Sequence, residues 1–300
     1  MSEPQGWGHV MGKLPLDASP EGARVPEGLR VFDAHVHVFP ERLFEAIWRW
    51  FGQHGWPIRY RLHAEQVIEF LSARGVERMT ALLYAHKPGM ARELNRFVAE
   101  IAKAHACVIP FGTVMPGEPD AGAIVREALG RLGLRGIKLH CHVQRLSPDD
   151  ARLDEVYRAC EELGRPVLIH AGREPSSPAY GIDTRALCAA PQIERVLQRF
   201  PRLKLVVPHL GADEYAEYAA LLGQYENLWM DTTMIVAGYL PGPVPTDLVV
   251  RHADRLMYGT DFPNIPYAWD RELHRLLALP LDARAQRKLF WDNASALYAD

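Results

Sequence analysis

The sequence lacks the features of several large classes of protein. No apolar run approaches the roughly 20 residues that a membrane-spanning helix needs, and the Gly- and Pro-rich first 27 residues contain no apolar centre typical of a secretion signal. The formal net charge is only −3 over 300 residues, so no charge excess favours nucleic acid or an anionic membrane as partner. The glycine patterns of Walker and Rossmann nucleotide sites are also missing, which excludes most nucleotide-binding functions.

Cysteine is scarce as well. The four cysteines are scattered and form no Cys-x-x-Cys pair, which indicates reduced thiols in a cytoplasmic protein rather than a disulfide framework. Histidine, by contrast, is abundant: the chain has 13, and several follow apolar runs. The hydrophobic fraction of 48% is typical of a globular domain with a large core.

Short β-branched runs alternate with helix-period segments from residue 29 onward. Strands are predicted over 29–36, 78–84, 108–114, 136–140, 166–170, 203–209, 228–232 and 255–260, and helices over 41–51, 64–73, 91–106, 120–132, 149–163, 184–200, 215–222, 246–253, 269–278 and 282–298. Eight such units predict an α/β fold, the (β/α)8 TIM barrel, over residues 29–300, after an N-terminal extension of residues 1–28. An aromatic-rich insertion follows strand one. An open doubly wound sheet is disfavoured because its glycine-rich turn after the first strand is missing.

The first predicted strand carries two histidines at a spacing suited to metal binding. Residues two apart on a strand share a face, with Cα atoms about 6.6 Å apart, so His35 and His37 can converge on one ion through bonds of about 2 Å. Phe32, Ala34 and Val36 make the other face apolar as well, as expected for a parallel strand covered on both sides. Buried imidazoles need partners, and a metal ion is one.

Polar residues also follow the apolar part of other predicted strands. Lys138 and His140 belong to strand four, His170 and His209 end strands five and six, and Asp261 follows strand eight. A lone histidine in such a place is usually a structural side chain, but the carboxyl ends of all strands meet at one mouth of a barrel. Together these residues predict a metal site there.

The order of these residues resembles that of the amidohydrolase superfamily. His-x-His, His, His and Asp occur on barrel strands one, five, six and eight in that superfamily, and the surrounding residues resemble the branch typified by aminocarboxymuconate-semialdehyde decarboxylase. The similar segments are 33–37, 136–140, 168–172, 208–211, 258–263 and 292–294. The resemblance extends from residue 29 to residue 299.

The resemblance implies a role for each residue. His35, His37, His170 and Asp261 would bind one divalent metal, with zinc favoured and manganese the alternative. Asp261 would also accept a proton, while His209 beside the metal would handle protons or orient a water molecule. A bound zinc lowers the pKa of water from 15.7 to about 7.

Lys138 leaves two alternatives open. In other branches of the superfamily a strand-four lysine is carbamylated and bridges two metals, whereas in this branch it is usually unmodified and one metal is bound. The second alternative is preferred, with Lys138 as a charge-balancing cation.

Four further residues are candidates around the mouth. His140 is expected to contact substrate or support the metal site, His142 to lie in the loop beyond, and Arg173 to hold a substrate anion. Trp56, in the insertion, would line the mouth and favour a flat or apolar substrate. The aromatic insertion could equally form an interface in a homodimer.

Two reactions fit the predicted site. Hydrolysis of an amide, ester or lactone of a small molecule is preferred by a small margin, because several aromatic-acid decarboxylases of the branch carry Glu where this chain has His35. Non-oxidative decarboxylation of a small carboxylic acid is the alternative. No nucleic-acid or membrane partner is expected.

Overall fold

All eight predicted strands form, and each pairs in parallel with its neighbours in chain order. We describe residues 22–240 and 242–298 of a computed structural model. The strands are β1 (Phe32–Asp33), β2 (Arg78–Ala81), β3 (Val108–Thr113), β4 (Gly136–His140), β5 (Val167–His170), β6 (Leu205–Val207), β7 (Leu228–Asp231) and β8 (Leu256–Met257). Most are shorter than predicted because ladder pairing stops before the apolar run does.

The residues that follow β1 close the sheet into a barrel. Val36 forms a parallel bridge with Phe262, and the backbone N–H of Asp261 donates to the carbonyl of His35 at 2.9 Å. The N–H of Ala34 likewise donates to Tyr258 O at 2.9 Å. The first and eighth units are therefore joined, and the predicted TIM barrel is confirmed.

Helices surround the barrel in the predicted alternation. They are α1 (Glu41–His54), α2 (Ala64–Ala73), α3 (Ala91–Ala104), α4 (Ala121–Arg126), α5 (Cys141–Gln144), α6 (Asp154–Glu162), α7 (Thr184–Leu187), α8 (Ala190–Arg199), α9 (Tyr215–Gln224), α10 (Thr246–His252), α11 (Arg271–Leu277), α12 (Ala283–Arg287) and α13 (Asn293–Tyr298). Helix α1 belongs to the predicted insertion between β1 and the barrel helix α2.

One predicted helix, 184–200, is wrong as a single element. It divides into α7 and α8, and Pro191 lies in the first turn of α8. Proline lacks an N–H and clashes with the preceding turn inside a helix, but the first turn requires no N–H donor, so a new helix begins there.

The interior of the barrel is apolar at its lower end, where the strands begin. Phe32, Phe111, Leu168, Val206 and Met257 belong to one buried cluster together with α13. Side chains from five strands can meet only inside the barrel, so this cluster fills it. Tyr298 of α13 packs edge-on against Phe111, with ring centroids 4.9 Å apart, and covers this end.

The first described residues pack onto the barrel. The N–H of Ala23 donates to Asp270 Oδ2 at 2.6 Å, and the N–H of Val25 donates to Arg74 O at 2.8 Å. Most of the predicted extension, residues 1–21, lies outside the described residues. Within the described chain, no helix combines the length and apolarity that crossing a membrane requires.

Candidate active site

Three predicted metal ligands meet at the mouth of the barrel. Asp261 Oδ1 lies 3.0 Å from His37 Nε2 and 3.5 Å from His35 Nε2, and one ligand atom from each residue lies within 4.8 Å of the others. The pairing of the chain after β1 with the chain after β8 produces this contact. Asp261 has a left-handed backbone with φ of 68°, a conformation that Asp adopts more readily than most residues.

The ionisation states of this group suit metal binding. Burial, and then the charge of Lys138, hold the pKa of His35 well below its usual value. Burial raises the pKa of Asp261, but the hydrogen bond and charge of His37, together with His35 and His209, outweigh it and leave this pKa below its usual range. A neutral His35 imidazole beside the ionised carboxylate of Asp261 is a combination that binds a cation.

Asp231, at the end of β7, orients the group, and our sequence analysis missed it. Its Oδ2 lies 2.8 Å from His35 Nδ1, and its Oδ1 accepts the backbone N–H of His209 at 3.0 Å. With the proton of His35 on Nδ1, the lone pair of Nε2 faces the group. Residues 231–233, Asp-Thr-Thr, are a polar strand end like the others, and that signal could have identified Asp231.

A second group of buried histidines lies next to the first. His140 and His170 are paired in register on β4 and β5, and their rings stack with centroids 4.1 Å apart. His142, expected in an outer loop, is fully buried with them. Nδ1 of His140, Nδ1 of His142 and Nε2 of His170 have no hydrogen-bond partner among the described residues.

A chain of hydrogen bonds determines which nitrogen of His170 is free. Thr233 O can only accept, so His209 donates to it through Nδ1, at 3.1 Å. Burial keeps the pKa values of His209 and His170 low, so both rings are neutral and His209 Nε2 accepts. Its neighbour at 3.1 Å, His170 Nδ1, is then the donor, which leaves the lone pair of His170 on Nε2.

The free nitrogens fit a metal ion. Nε2 of His35 and of His170 are both buried and without a hydrogen-bond partner among the described residues, and a buried lone pair without a partner is costly. His170 lines the same cavity as His37 and Asp261. Its ligand atom does not form one set with those of His35, His37 and Asp261 in which every separation is within 4.8 Å, however, but forms such a set with His140 and His142. The structure thus contains two triplets that could hold a metal, with His170 beside both.

Lys138 supplies the positive charge of the site. Its side chain is almost fully buried, and burial lowers its pKa to about 8 against the opposing effect of Asp231 and Asp261. The amine is therefore mostly cationic at neutral pH. The alternatives of a modified or unmodified Lys138 remain predictions.

Two adjacent spaces lie beside these side chains. The inner cavity has a volume of about 40 Å³ and is lined by Lys138, His170, His209 and Asp261 together with aromatic residues that include Trp56. The outer pocket has a volume of about 450 Å³ and is bounded by α1 and by residues 140–145. Residues common to both linings, which make the two spaces adjacent, are Phe51, Tyr84, His140 and Tyr180.

Two of the three predicted substrate contacts lie at the inner cavity, and the third does not. His140 and Trp56 line the inner cavity, and Trp56 Nε1 is held by a hydrogen bond to Asn264 O at 2.7 Å. Arg173 is not among the described residues that line either space. Its guanidinium is already paired with Asp213 at 3.1 Å and with Glu214 at 3.6 Å, so the geometry does not support its predicted role.

Known structures share this architecture. An uncharacterised TIM-barrel protein from Bordetella bronchiseptica is 24% identical, with a TM-score of 0.71 over 90% of this chain and 98% of its own. A 5-carboxyvanillate decarboxylase from Novosphingobium aromaticivorans, solved with manganese and a nitrobenzoic acid, is 17% identical, with a TM-score of 0.69 over 95% and 100%. A 2,6-dihydroxybenzoate decarboxylase from Rhizobium is 17% identical, with a TM-score of 0.65 over 90% and 98%. At these identities the likeness establishes the fold.

The family is established by the sequence itself. No curated protein matches the chain significantly, but the family model described as Amidohydrolase matches residues 32–299. This range contains every residue of the two triplets that could hold a metal, and the match confirms the resemblance noted above. The chain is therefore an enzyme of the amidohydrolase superfamily and a member of the Amidohydrolase family.

Proposed function

We propose that the protein is a metal-dependent decarboxylase that removes carbon dioxide, without oxidation, from a small and flat carboxylic acid. The observation that carries this proposal is the size and lining of the inner cavity. About 40 Å³ accommodates about three water-sized groups, so beside a bound ion there is room for little more than the two oxygens of a carboxylate. An amide or ester under attack would bring an acyl group, a leaving group and a water molecule to the same place.

The lining of the cavity supports the same reaction. Lys138 provides a positive charge for an entering carboxylate, and the rings of Phe51, Tyr84 and Tyr180 line both the inner cavity and the outer pocket. A flat acid can place its carboxylate in the inner cavity while its ring remains between these aromatic side chains. Decarboxylation is also the activity named for two of the similar structures.

We infer that His35, His37, His170 and Asp261 hold one divalent metal. Three imidazoles and one carboxylate are ligands that zinc accepts readily. Zinc remains the expected ion, and manganese, which is present in one similar structure, is the alternative. A cation bound there would act as a Lewis acid that polarises an oxygen of the substrate.

His209 is our candidate for the proton transfer. Breaking the carbon–carboxylate bond releases carbon dioxide and leaves an electron pair on carbon, which must accept a proton. Both His209 and Asp261 line the inner cavity. Asp261 is a poor donor because its pKa lies below the usual range. His209 would take up a proton from water on Nε2, in place of its hydrogen bond from His170, and release that proton to the carbon.

Hydrolysis is the second candidate. The chain retains His35, whereas several aromatic-acid decarboxylases of the branch resembled here carry Glu at that position. A metal site with four ligands and an adjacent histidine can also activate water.

A substrate panel in heavy water separates the two candidates. The metal-loaded protein is incubated with hydroxybenzoic and other unsaturated acids and, separately, with esters, amides and lactones. We expect carbon dioxide release and a product deuterated at the carbon that carried the carboxylate. Hydrolysis of an ester, amide or lactone without carbon dioxide release from any acid would contradict decarboxylation and favour the second candidate.

A further inference from the structure

The outer pocket is suited to an anion. The described residues that line it include no Asp or Glu, although the chain as a whole has a net charge of −3. Its polar side chains include Arg145, His86 and His142, and its walls include Trp50 and Tyr180. A concave site whose charged side chains are of one sign raises the local concentration of the opposite ion.

Arg145 is the permanent cation of this lining. Its guanidinium forms no hydrogen bond or ion pair with any described residue. Two arginines that follow β5 in the chain differ in this respect, since Arg173 pairs with Asp213 and Arg185, in α7, pairs with Glu174 and Asp213. A guanidinium at a pocket wall without a carboxylate partner retains its five donors for a ligand.

The backbone beneath Arg145 is held in place. Its N–H donates to Cys141 O, and its φ of 55° ends α5 in the left-handed region. The preceding residue, Gln144, donates to Ala85 O at 3.0 Å and to Val114 O at 2.8 Å. The root of the Arg145 side chain is therefore fixed, while the side chain itself is exposed.

The guanidinium also has a defined place in the pocket. A Cβ on Gly181 would lie 3.7 Å from Arg145 Nη2, so the end of the side chain lies beside the segment that carries Tyr180. Tyr180 lines both the outer pocket and the inner cavity. A ligand that lies against Tyr180 is thus close to the region that Arg145 reaches.

We propose that Arg145 binds a second carboxylate of the substrate, at the end opposite to the carboxylate that enters the inner cavity. This inference rests on the proposed function and narrows its substrate to a flat dicarboxylic acid. The planar guanidinium matches a carboxylate with two parallel hydrogen bonds. A volume of about 450 Å³ lies in the usual range for small-molecule sites.

The test compares dicarboxylates with monocarboxylates in binding and in turnover. Binding of benzoate and of the three benzenedicarboxylates is measured by calorimetry on the metal-loaded wild-type protein and on Arg145→Met, Arg145→Lys and Arg251→Met. Arg251 is a matched control because it is exposed on α10, pairs with Asp247 and lines neither space. The melting temperature of each variant establishes that it is folded.

We expect at least one dicarboxylate to bind the wild-type protein tenfold or more tightly than benzoate. Arg145→Met should remove that preference, Arg145→Lys should restore part of it, and Arg251→Met should leave it unchanged. In turnover, Arg145→Met should raise KM for dicarboxylic acids and change kcat less than threefold. Two results would overturn the inference. One is that dicarboxylates bind the wild-type protein no better than benzoate does, and the other is that Arg145→Met loses affinity for benzoate and for dicarboxylates by the same factor.

A failure of the proposed decarboxylation can be distinguished from a failure of the role proposed for Arg145. If the protein releases no carbon dioxide from any acid, the binding preference can still be present and can still depend on Arg145. If carbon dioxide is released equally well from monocarboxylic and dicarboxylic acids, decarboxylation stands and the role of Arg145 is wrong.

Discussion

The two ends of the barrel interior differ in chemistry although the same strands form both. On β5, Leu168 belongs to the apolar cluster of the lower end, while His170, two residues later on the same face, belongs to the mouth. Met257 and Asp261 show the same change along the chain from β8. The lower end is closed by packing, whereas the mouth retains buried imidazole nitrogens without partners among the described residues. Stability and chemistry are thus separated along the barrel axis.

The largest effect is expected for His35→Ala at the mouth. Removing one nitrogen ligand should abolish metal binding and reduce turnover by at least about 10³-fold, because the other groups cannot position the ion alone. Metal content by mass spectrometry and turnover on the same sample measure it. The matched control is His142→Ala, which should retain one metal per chain. If His142→Ala lost the metal and His35→Ala kept it, the second triplet would be the metal site.

At the lower end, Phe111→Ala should affect stability instead. The ring is fully buried and packs on Tyr298, so its removal leaves a cavity and should lower the free energy of unfolding by about 3–5 kcal/mol. Urea unfolding measures this loss, and Phe111→Leu should lose less. Metal content per folded molecule should not change. A variant of normal stability with reduced metal content would show that the two ends are not separable.

Asp231→Asn sharpens the comparison within the mouth. The amide keeps the shape of the side chain but removes the charge that accepts from His35 Nδ1, so the affinity for metal should fall about 10–100-fold. Competition with a chelator measures the affinity. Asp247→Asn, an exposed carboxylate on α10, is the control and should not change it. An unchanged affinity in Asp231→Asn would remove Asp231 from the metal site.

The smallest effect is expected for Trp56→Phe. The substitution removes the hydrogen bond to Asn264 O and part of the cavity wall, and one such bond contributes about 1 kcal/mol. We expect kcat/KM to fall about fivefold. Trp291→Phe, next to Phe32 in the apolar cluster, should leave kcat/KM unchanged. Equal kinetic effects of the two substitutions would contradict the assignment of Trp56 to the cavity.

The secondary structure could be predicted where hydrophobic periodicity is continuous. The predicted bounds of α2 and of β4 agree with the structure at both ends, because Gly75 and the apolar spacing mark them clearly. The predicted helix 184–200 was wrong because periodicity continues past Pro191, while the chain must start a new helix there. Periodicity reports which face is buried and not whether the backbone hydrogen bonds are continuous.

The site could be predicted in part. His35, His37 and Asp261 were expected together, and the structure brings them together. Asp231 and the burial of His142 were missed, and Arg173 proved to be paired with carboxylates. An ion pair between residues 40 apart depends on where two loops lie, and no local pattern encodes that.

The sequence by itself determined the barrel and the identity of the polar strand ends, because alternation with period two and the order of the strands are local properties of the chain. Only the tertiary structure decided which histidine nitrogens have no partner among the described residues, that Arg145 in the outer pocket has none there either, and how much space the aromatic walls leave. Those properties arise from distances between segments that are far apart in the chain, and packing alone fixes such distances.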